Sequence, residues 1–399
     1  MKEIEGGICA VPGVSAYGIK EGKYGLSVIL AEGPATGVFT RNKVVAAPVV
    51  LTRERLEAGH RLSGLIVNSG NANAFTGKEG FEDAKAMSRL LAEKLSIEPE
   101  AIGVASTGVI GHRLDLARIK AQLPKVIAGL EASPKGSLAA AKAIMTTDTF
   151  PKEVAVELES GIKIGGLAKG SGMIEPNMGT MLSFIYTDAD LPAALLNTSL
   201  KAATDESFNM VVVDGDTSTN DMVLLTATCK SGIKPKMEAL EEFQEGLNHV
   251  LCSLAKKVAA DGEGATKLIE VRVRGAKTEK DAKLAAKAVV RSPLVKTAVF
   301  GKDPNWGRVM AAVGYSGAEL DLEKVSLSFM GGIEEESEVK LVESGKVSDS
   351  AGSIESLKKV MESKEIIITV ELGLGKAAAR AWGCDFSYDY VRINAEYTT

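Results

Sequence analysis

KGSGMIEPNMGTMLSFIYTDA, residues 169 to 189, changes character at its centre. The first half, with its glycines, Ser171, Pro176 and Asn177, has the composition of a loop. The second half, Met181 to Thr187, is an apolar and β-branched run that reads as a buried strand. The join is Met178-Gly179-Thr180, a residue without a side chain followed by a hydroxyl. Outward from it, Leu26 to Ala31 and the alternating Val154, Val156 and Leu158 read as strands, the latter turning at Ser160-Gly161 into Ile162 to Ile164. Further strands are predicted at Met210 to Val213, Met222 to Thr228, Leu268 to Val273, Val325 to Phe329 and Ile366 to Leu372. Helical spacing marks Phe81 to Leu95, Leu191 to Asp205 and Met237 to Ala260. Several strands follow one another without a helix between them, which fits α+β with layered, helix-covered sheets better than a regular βαβ array.

Composition narrows the function classes. With 399 residues the chain can form one large or two medium domains. Its 45% apolar and 25% charged content is globular, not disordered or fibrous. A net charge of −5 without dense Lys/Arg clusters argues against nucleic-acid and anionic-membrane surfaces. No apolar run approaches the ~18 residues of a spanning helix, and the opening MKEIEGGICAVPG lacks a signal core, so a cytoplasmic protein is expected. Cys9, Cys229, Cys252 and Cys384 are scattered, without zinc or redox spacing. The only histidines, His60, His112 and His249, leave few candidates for a His-dependent triad or a His-rich metal site. GLAKGSG lacks the Walker spacing, and Asp214, Asp216 and Asp221 lack the glycine and closing Glu of a calcium loop. No metal or other cofactor is expected. The Gly- and charge-rich stretch from Gly331 to Ser353 reads as surface loops.

Thr180 has a reading that also explains Gly179. A threonine hydroxyl is a weak nucleophile until a base takes its proton, and a Thr at a chain terminus carries that base in its own α-amine. Such an amine, with a reference pKa of ~7.7 to 8.0, is partly neutral near pH 7. Thr180 gains one only if the Gly179–Thr180 bond breaks. Attack of its hydroxyl on the Gly179 carbonyl, followed by hydrolysis of the ester, would break it; a distorted backbone at 179 suits glycine. The new terminus would begin a buried strand, a rigid mount.

The motifs STGVIG, AIMTTDTFPK, KGSGMIEPNMGTML, DGDTSTND, DGEGATK, SPLVKTAVFGKDPNWGR and WGCDFSYDYVRINAEYTT occur in one order along the chain. Over residues 5 to 399 the sequence resembles the ornithine acetyltransferases, the self-cleaving glutamate N-acetyltransferases of arginine biosynthesis. Where that family most often has Ala before its nucleophilic Thr, this chain has Gly179.

The resemblance implies ping-pong transfer of acetyl from N-acetylornithine to glutamate through acetyl-Thr180, with the Thr107 hydroxyl and the Gly108 N–H as oxyanion donors. It implies a substrate-binding set of Thr146, Lys169, Thr180, Glu263, Asn394 and Thr399. Lys169 is suited to a carboxylate and Glu263 to an ammonium; Thr147 beside Thr146 is a rival for its place. The implied fold is an α/β/β/α-type layered sandwich with a smaller second lobe, roughly 275–399. An α chain, 1–179, and a β chain, 180–399, fold together and assemble as an α2β2 heterotetramer. Some members also take acetyl from acetyl-CoA, and the same machinery with water as acceptor would be an N-terminal-Thr amidase or aminopeptidase. The alternation of Phe386, Tyr388, Tyr390, Val391 and Ile393 suggests that the C-terminal tail is a docked strand. DGDTSTND is expected to pack near the site; Asn68, Asn71 and Asn73 are expected to satisfy backbone or line the pocket. KDPNWGR is expected to start a helix and make a core contact.

Overall fold

The apolar runs close into two sheets. The computed structural model describes residues 1–175, 181–235, 237–332, 338–348 and 354–396. In the nine-stranded sheet, Leu182–Thr187 lies between Lys163–Lys169, antiparallel, and Met222–Ala227, parallel. Beyond Met222–Ala227 come Tyr24–Phe39, Arg61–Asn71 and Ile102–Val109, with Ser15–Glu21 also on Tyr24–Phe39. The 16-residue strand Tyr24–Phe39 joins two halves of the sheet: its start pairs with Ser15–Glu21 and Arg61–Asn71, its end with Met222–Ala227, and its register shifts between Leu30 and Gly33.

Side-chain alternation shows how the halves stack. Leu182, Phe184, Tyr186, Met222 and Leu224 from one half share a buried cluster with Ala16, Ile29, Leu65 and Val67 from the other. The intervening positions Met181, Ile185, Val223 and Leu225 face the opposite way, onto Leu196 and Leu200 of the helix Ala193–Glu206 and Leu247, Leu251 and Leu254 of the helix Met237–Ala260. On the far side Val28, Ile66 and Val104 pack on Met87 and Leu91 of Gly77–Leu95 and Ile119 and Leu123 of Leu116–Ala128. The order is therefore helix, sheet, sheet, helix, the α+β layering expected. Burial on both faces explains why Met181 to Thr187 is mostly apolar at both odd and even positions instead of alternating.

The seven-stranded sheet runs Lys346–Val347, Val339–Glu343, Ser326–Gly331, Glu365–Glu371, Leu268–Ala276, Ala377–Cys384 and Val211–Val212. Helix Glu279–Arg291 covers it through Ala282, Ala285, Ala286, Val289 and Val290, and helix Met237–Ala260 contacts both sheets. No helix among the described residues is long and apolar enough to cross a membrane.

Two local expectations are corrected. The stretch after Gly331 contains the paired strands Val339–Glu343 and Lys346–Val347, turning at Ser344-Gly345 with positive φ; its charges hid the buried Val339, Leu341 and Val342. The tail is a helix, Tyr388–Glu396, not a strand. Its aromatic residues imitate a period of two, but Phe386 and Tyr390 stack at a 5.0 Å centroid distance, four residues apart. The Ser387 hydroxyl caps the Asp389 N–H at 3.1 Å, and Arg392 pairs with Asp389 one turn away at 2.9 Å. Docking does occur, through Ser387 donating to the Gly264 carbonyl at 2.5 Å, while Tyr388 and Val391 stay exposed. Asn305 caps the helix Trp306–Tyr315, and Trp306 packs against the core.

Candidate active site

Lys169 ends its strand opposite Leu182, and its side chain is buried. Its Nζ donates to the hydroxyl oxygen of Thr146 at 2.7 Å and of Thr107 at 3.1 Å, and lies 3.9 Å from Asp148 Oδ2. An ammonium only donates, so both threonine oxygens must accept here, and each hydroxyl hydrogen stays free for a third party. Thr147 instead bonds Ser171 at 2.7 Å. Of the two neighbouring threonines, the one on Lys169 is Thr146.

Thr107 and Gly108 lie where the strand Ile102–Val109 runs beside Arg61–Asn71. Gly108 has φ +129°, and a Cβ there would run into the backbone of Gly70 and Asn71, so this turn needs glycine. Asn68 Nδ2 bonds the Asn71 carbonyl at 2.8 Å, and its Oδ1 accepts from Ser106 at 2.6 Å. Asn220 Nδ2 donates to the carbonyls of Ala72 and Ser106 at 2.6 and 2.8 Å. These amides hold the turn without entering the cation's contacts.

Asp148 is the anion beneath. It accepts from the Thr146 N–H at 3.0 Å, the Gly170 N–H at 2.6 Å and Lys152 Nζ at 2.7 Å. Burial pushes its carboxyl up, but Lys169 and Lys152 outweigh that and hold it at about 2. Burial pushes the Lys169 ammonium down, with Asp148 opposing. Lys152, wholly buried, also meets Asp261 at 2.5 Å, and Asp261 accepts from the Thr149 hydroxyl.

Glu263 and Asn394 form a second pair: Asn394 Nδ2 donates to Glu263 Oε2 at 2.9 Å. The Glu263 N–H bonds the Ser171 carbonyl at 2.8 Å, and its carboxylate lies so close to Gly172 that a Cβ there would have to displace it. The segment from Lys169 to Gly172 thus carries the Thr107–Thr146–Lys169 group at one end and Glu263–Asn394 beside the other.

Gly179, Thr180 and Thr399 lie outside the described residues. The chain on either side of 176–180 is held by one stretch, residues 214–222, which is DGDTSTND and the Met that follows it. Asp214 accepts from the N–H groups of Met173 and Ile174 at 2.6 and 2.8 Å, and the Glu175 N–H bonds the Asp216 carbonyl at 2.8 Å. Downstream, the Met222 N–H bonds the Met181 carbonyl at 3.0 Å. Asp221, just before Met222, is buried, and its Oδ2 accepts no hydrogen bond from the described residues. Burial pushes its carboxyl well up, against Ser218 and Lys169. Among the described residues no His, Cys, Asp and Glu cluster could hold a metal ion.

Sequence reasoning missed Asp148, Lys152, Asp261 and Asn220. TTDTFPK does place Asp148 and Lys152 four apart, but Asp261 is 109 residues beyond Lys152, and no local pattern links them.

A family model described as ArgJ matches residues 12–399. The chain is similar to a protein named glutamate N-acetyltransferase from Methanosarcina mazei, 66% identical over 399 residues covering 100% of both chains. It is similar to one named arginine biosynthesis bifunctional protein ArgJ from Symbiobacterium thermophilum, 50% identical over 416 aligned positions, again covering 100% of both. Among solved structures it resembles the arginine biosynthesis bifunctional protein argJ of Bacillus halodurans, with a TM-score of 0.50 and 41% identity, covering 54% of this chain and 98% of that one.

Proposed function

The chain belongs to the ArgJ family, and from that premise we propose that it moves an acetyl group from N-acetylornithine to glutamate through an ester on Thr180, after cutting itself between Gly179 and Thr180. It is an acyltransferase of arginine biosynthesis. The observation that carries the finer reading is the Lys169 contact to Thr107 and Thr146, beside the segment that leads to Thr180.

In this reading the Thr180 α-amine takes the proton of its own hydroxyl, and the oxygen attacks the acetyl carbonyl of N-acetylornithine. The oxyanion is received by the Thr107 O–H, left free because its oxygen is already engaged by Lys169, and by the Gly108 N–H. Each such donor is worth about 3 to 4 kcal/mol of transition-state stabilisation. The amide C–N bond breaks and ornithine leaves as the amine with the proton; the glutamate amine then attacks the ester, the bond from its carbonyl carbon to the Thr180 oxygen breaks, the α-amine passes the proton lost by glutamate to that oxygen, and N-acetylglutamate leaves. Lys169 and Thr146 serve the substrate carboxylate, and Glu263, set by Asn394, an ammonium; Thr399 completes the binding set.

One observation supports self-cleavage and a second supports the pieces staying together. The Bacillus halodurans chain is matched over nearly all its length yet spans 54% of this one, and a product starting at Thr180 would be just over half. The central place of Leu182–Thr187 would hold the pieces 1–179 and 180–399 together. Burial of Leu182, Phe184 and Ile185 contributes roughly 1.5 to 3 kcal/mol each to that association. The cut protein would pair into an α2β2 assembly, with roughly 275–399 as its smaller lobe.

A second donor, acetyl-CoA, is the alternative that the bifunctional naming of some relatives raises, while relatives of higher identity are named glutamate N-acetyltransferase alone. The test is an assay of purified wild type and Thr180→Ala with glutamate plus either N-acetylornithine or acetyl-CoA. N-acetylglutamate from the first donor, lost in the variant, is expected. Acetate formed in its place would assign hydrolysis, and turnover by an uncut chain would overturn the reading.

A further inference from the structure

A cavity of about 800 Å³ opens between the end of the strand Tyr24–Phe39, the helix Ala47–Gly59 and the start of the helix Ala193–Glu206. None of Thr107, Thr146, Lys169 and Glu263 lines it. It is lined by the apolar Val38, Phe39, Val45 and Leu56 and by the cationic Arg41, Arg53 and Lys201. In a chain of net charge −5 this is a local reversal, with Glu57 as the only carboxylate among the described lining residues. No ion pair engages Arg41, Arg53 or Lys201 among the described residues, Glu57 included.

Arg53 is also held in place. Its guanidinium sits over the Phe39 ring, 5.1 Å from the centroid, and one nitrogen reaches the Thr40 carbonyl at 3.5 Å, leaving other N–H donors unused. The lip is fixed on the opposite side: Thr40 Oγ1 donates to the Ser218 carbonyl at 2.7 Å and Asn42 Nδ2 to the Thr217 carbonyl at 2.8 Å. A concave, partly apolar space with an oriented guanidinium and two more unpaired cations is the arrangement that receives multiply charged small anions.

We propose that this cavity is a binding site for a small organic anion carrying two or more negative charges on carboxylate or phosphate groups, with Arg53 as the fixed contact and Arg41 and Lys201 closing around it. Nothing in this depends on acetyl transfer, so the two readings fail separately. The lip shares hydrogen bonds with Thr217 and Ser218, whose segment also holds the chain around 176–180, so a bound anion would sit next to a support of the candidate site.

The test is calorimetric titration of the purified chain with citrate and, separately, inorganic pyrophosphate at fixed ionic strength, which distinguishes the carboxylate from the phosphate source. Saturable binding of at least one probe, with one site per chain, is expected. Arg53→Gln should weaken it about tenfold or more, the loss of one charge-assisted contact. The exposed pair Arg41→Gln with Lys201→Gln should weaken it similarly without touching the packing around Phe39, and Lys120→Gln, an exposed charge elsewhere, should leave it unchanged. Absence of saturation by both probes would overturn the assignment. Binding that survives the double variant but disappears in Lys169→Met would overturn it too, because the anion would then be in the candidate active site.

Discussion

Lys152 and Lys169 sit on paired antiparallel strands and reach the two oxygens of one carboxylate, at 2.7 Å and 3.9 Å from Asp148. Lys152 is wholly buried between two carboxylates, Asp148 and Asp261, and its charge is answered within the protein. Lys169 stands farther off, and its two close partners are neutral hydroxyls. A buried cation matched by anions belongs to the scaffold. One held by hydroxyls keeps charge and donor capacity for something that arrives from outside.

The predictions probe this contrast from the largest effect down. Thr180→Ala removes the nucleophile that the Lys169 side is proposed to serve: acetyl transfer should fall by about 10⁴ or more, and denaturing mass analysis should find one chain of 41.9 kDa. Lys152→Met should act on stability, by about 3 to 5 kcal/mol in urea unfolding, because Asp261 is left buried without its cation and Asp148 keeps only Lys169, 3.9 Å away. Lys169→Met should do the reverse. Asp148 keeps Lys152, so the unfolding midpoint should move little while kcat falls roughly 10² to 10³. Thr107→Val should lose a similar factor in kcat with a smaller change in KM, as expected for a donor that acts on the oxyanion. If Lys152→Met lost activity at full stability, or Lys169→Met unfolded, the contrast would be broken.

The smallest effect is on pH. Asp148 titrates lower folded, at about 2, than its ordinary 3.8. The unfolded chain therefore binds its proton first as pH falls. The stabilisation is present above about pH 4 and is lost as pH drops toward 2, which acid unfolding followed by circular dichroism would measure. Removing either lysine should move that loss to higher pH.

The sequence allowed much of the fold to be read, because strands buried on both faces and long amphipathic helices leave strong local patterns: Met237 to Ala260 appears with the expected bounds. The tail misled because Phe386, Tyr388 and Tyr390 alternate while the hydrogen bonds that decide the matter, from Ser387 to Gly264 and Asn394 to Tyr390, depend on chain brought from far away or on the helix itself. At the site, Thr107, Thr146 and Lys169 were named from motif resemblance, and the structure brings their side chains together. The support beneath was not legible, since Asp261 meets Lys152 only after the helix Met237–Ala260 has turned the chain back. Nor does spacing reveal Asn220, which reaches across the sheet to Ala72 and Ser106.

The most direct measurement is the mass, under denaturing conditions, of protein incubated with N-acetylornithine in the absence of glutamate. Two fragments are predicted, with the one that begins at Thr180 heavier by one acetyl group and returned to its unmodified mass when glutamate is added. An uncut chain that transfers acetyl at full rate, or an acetyl group found on a residue other than Thr180, would contradict it.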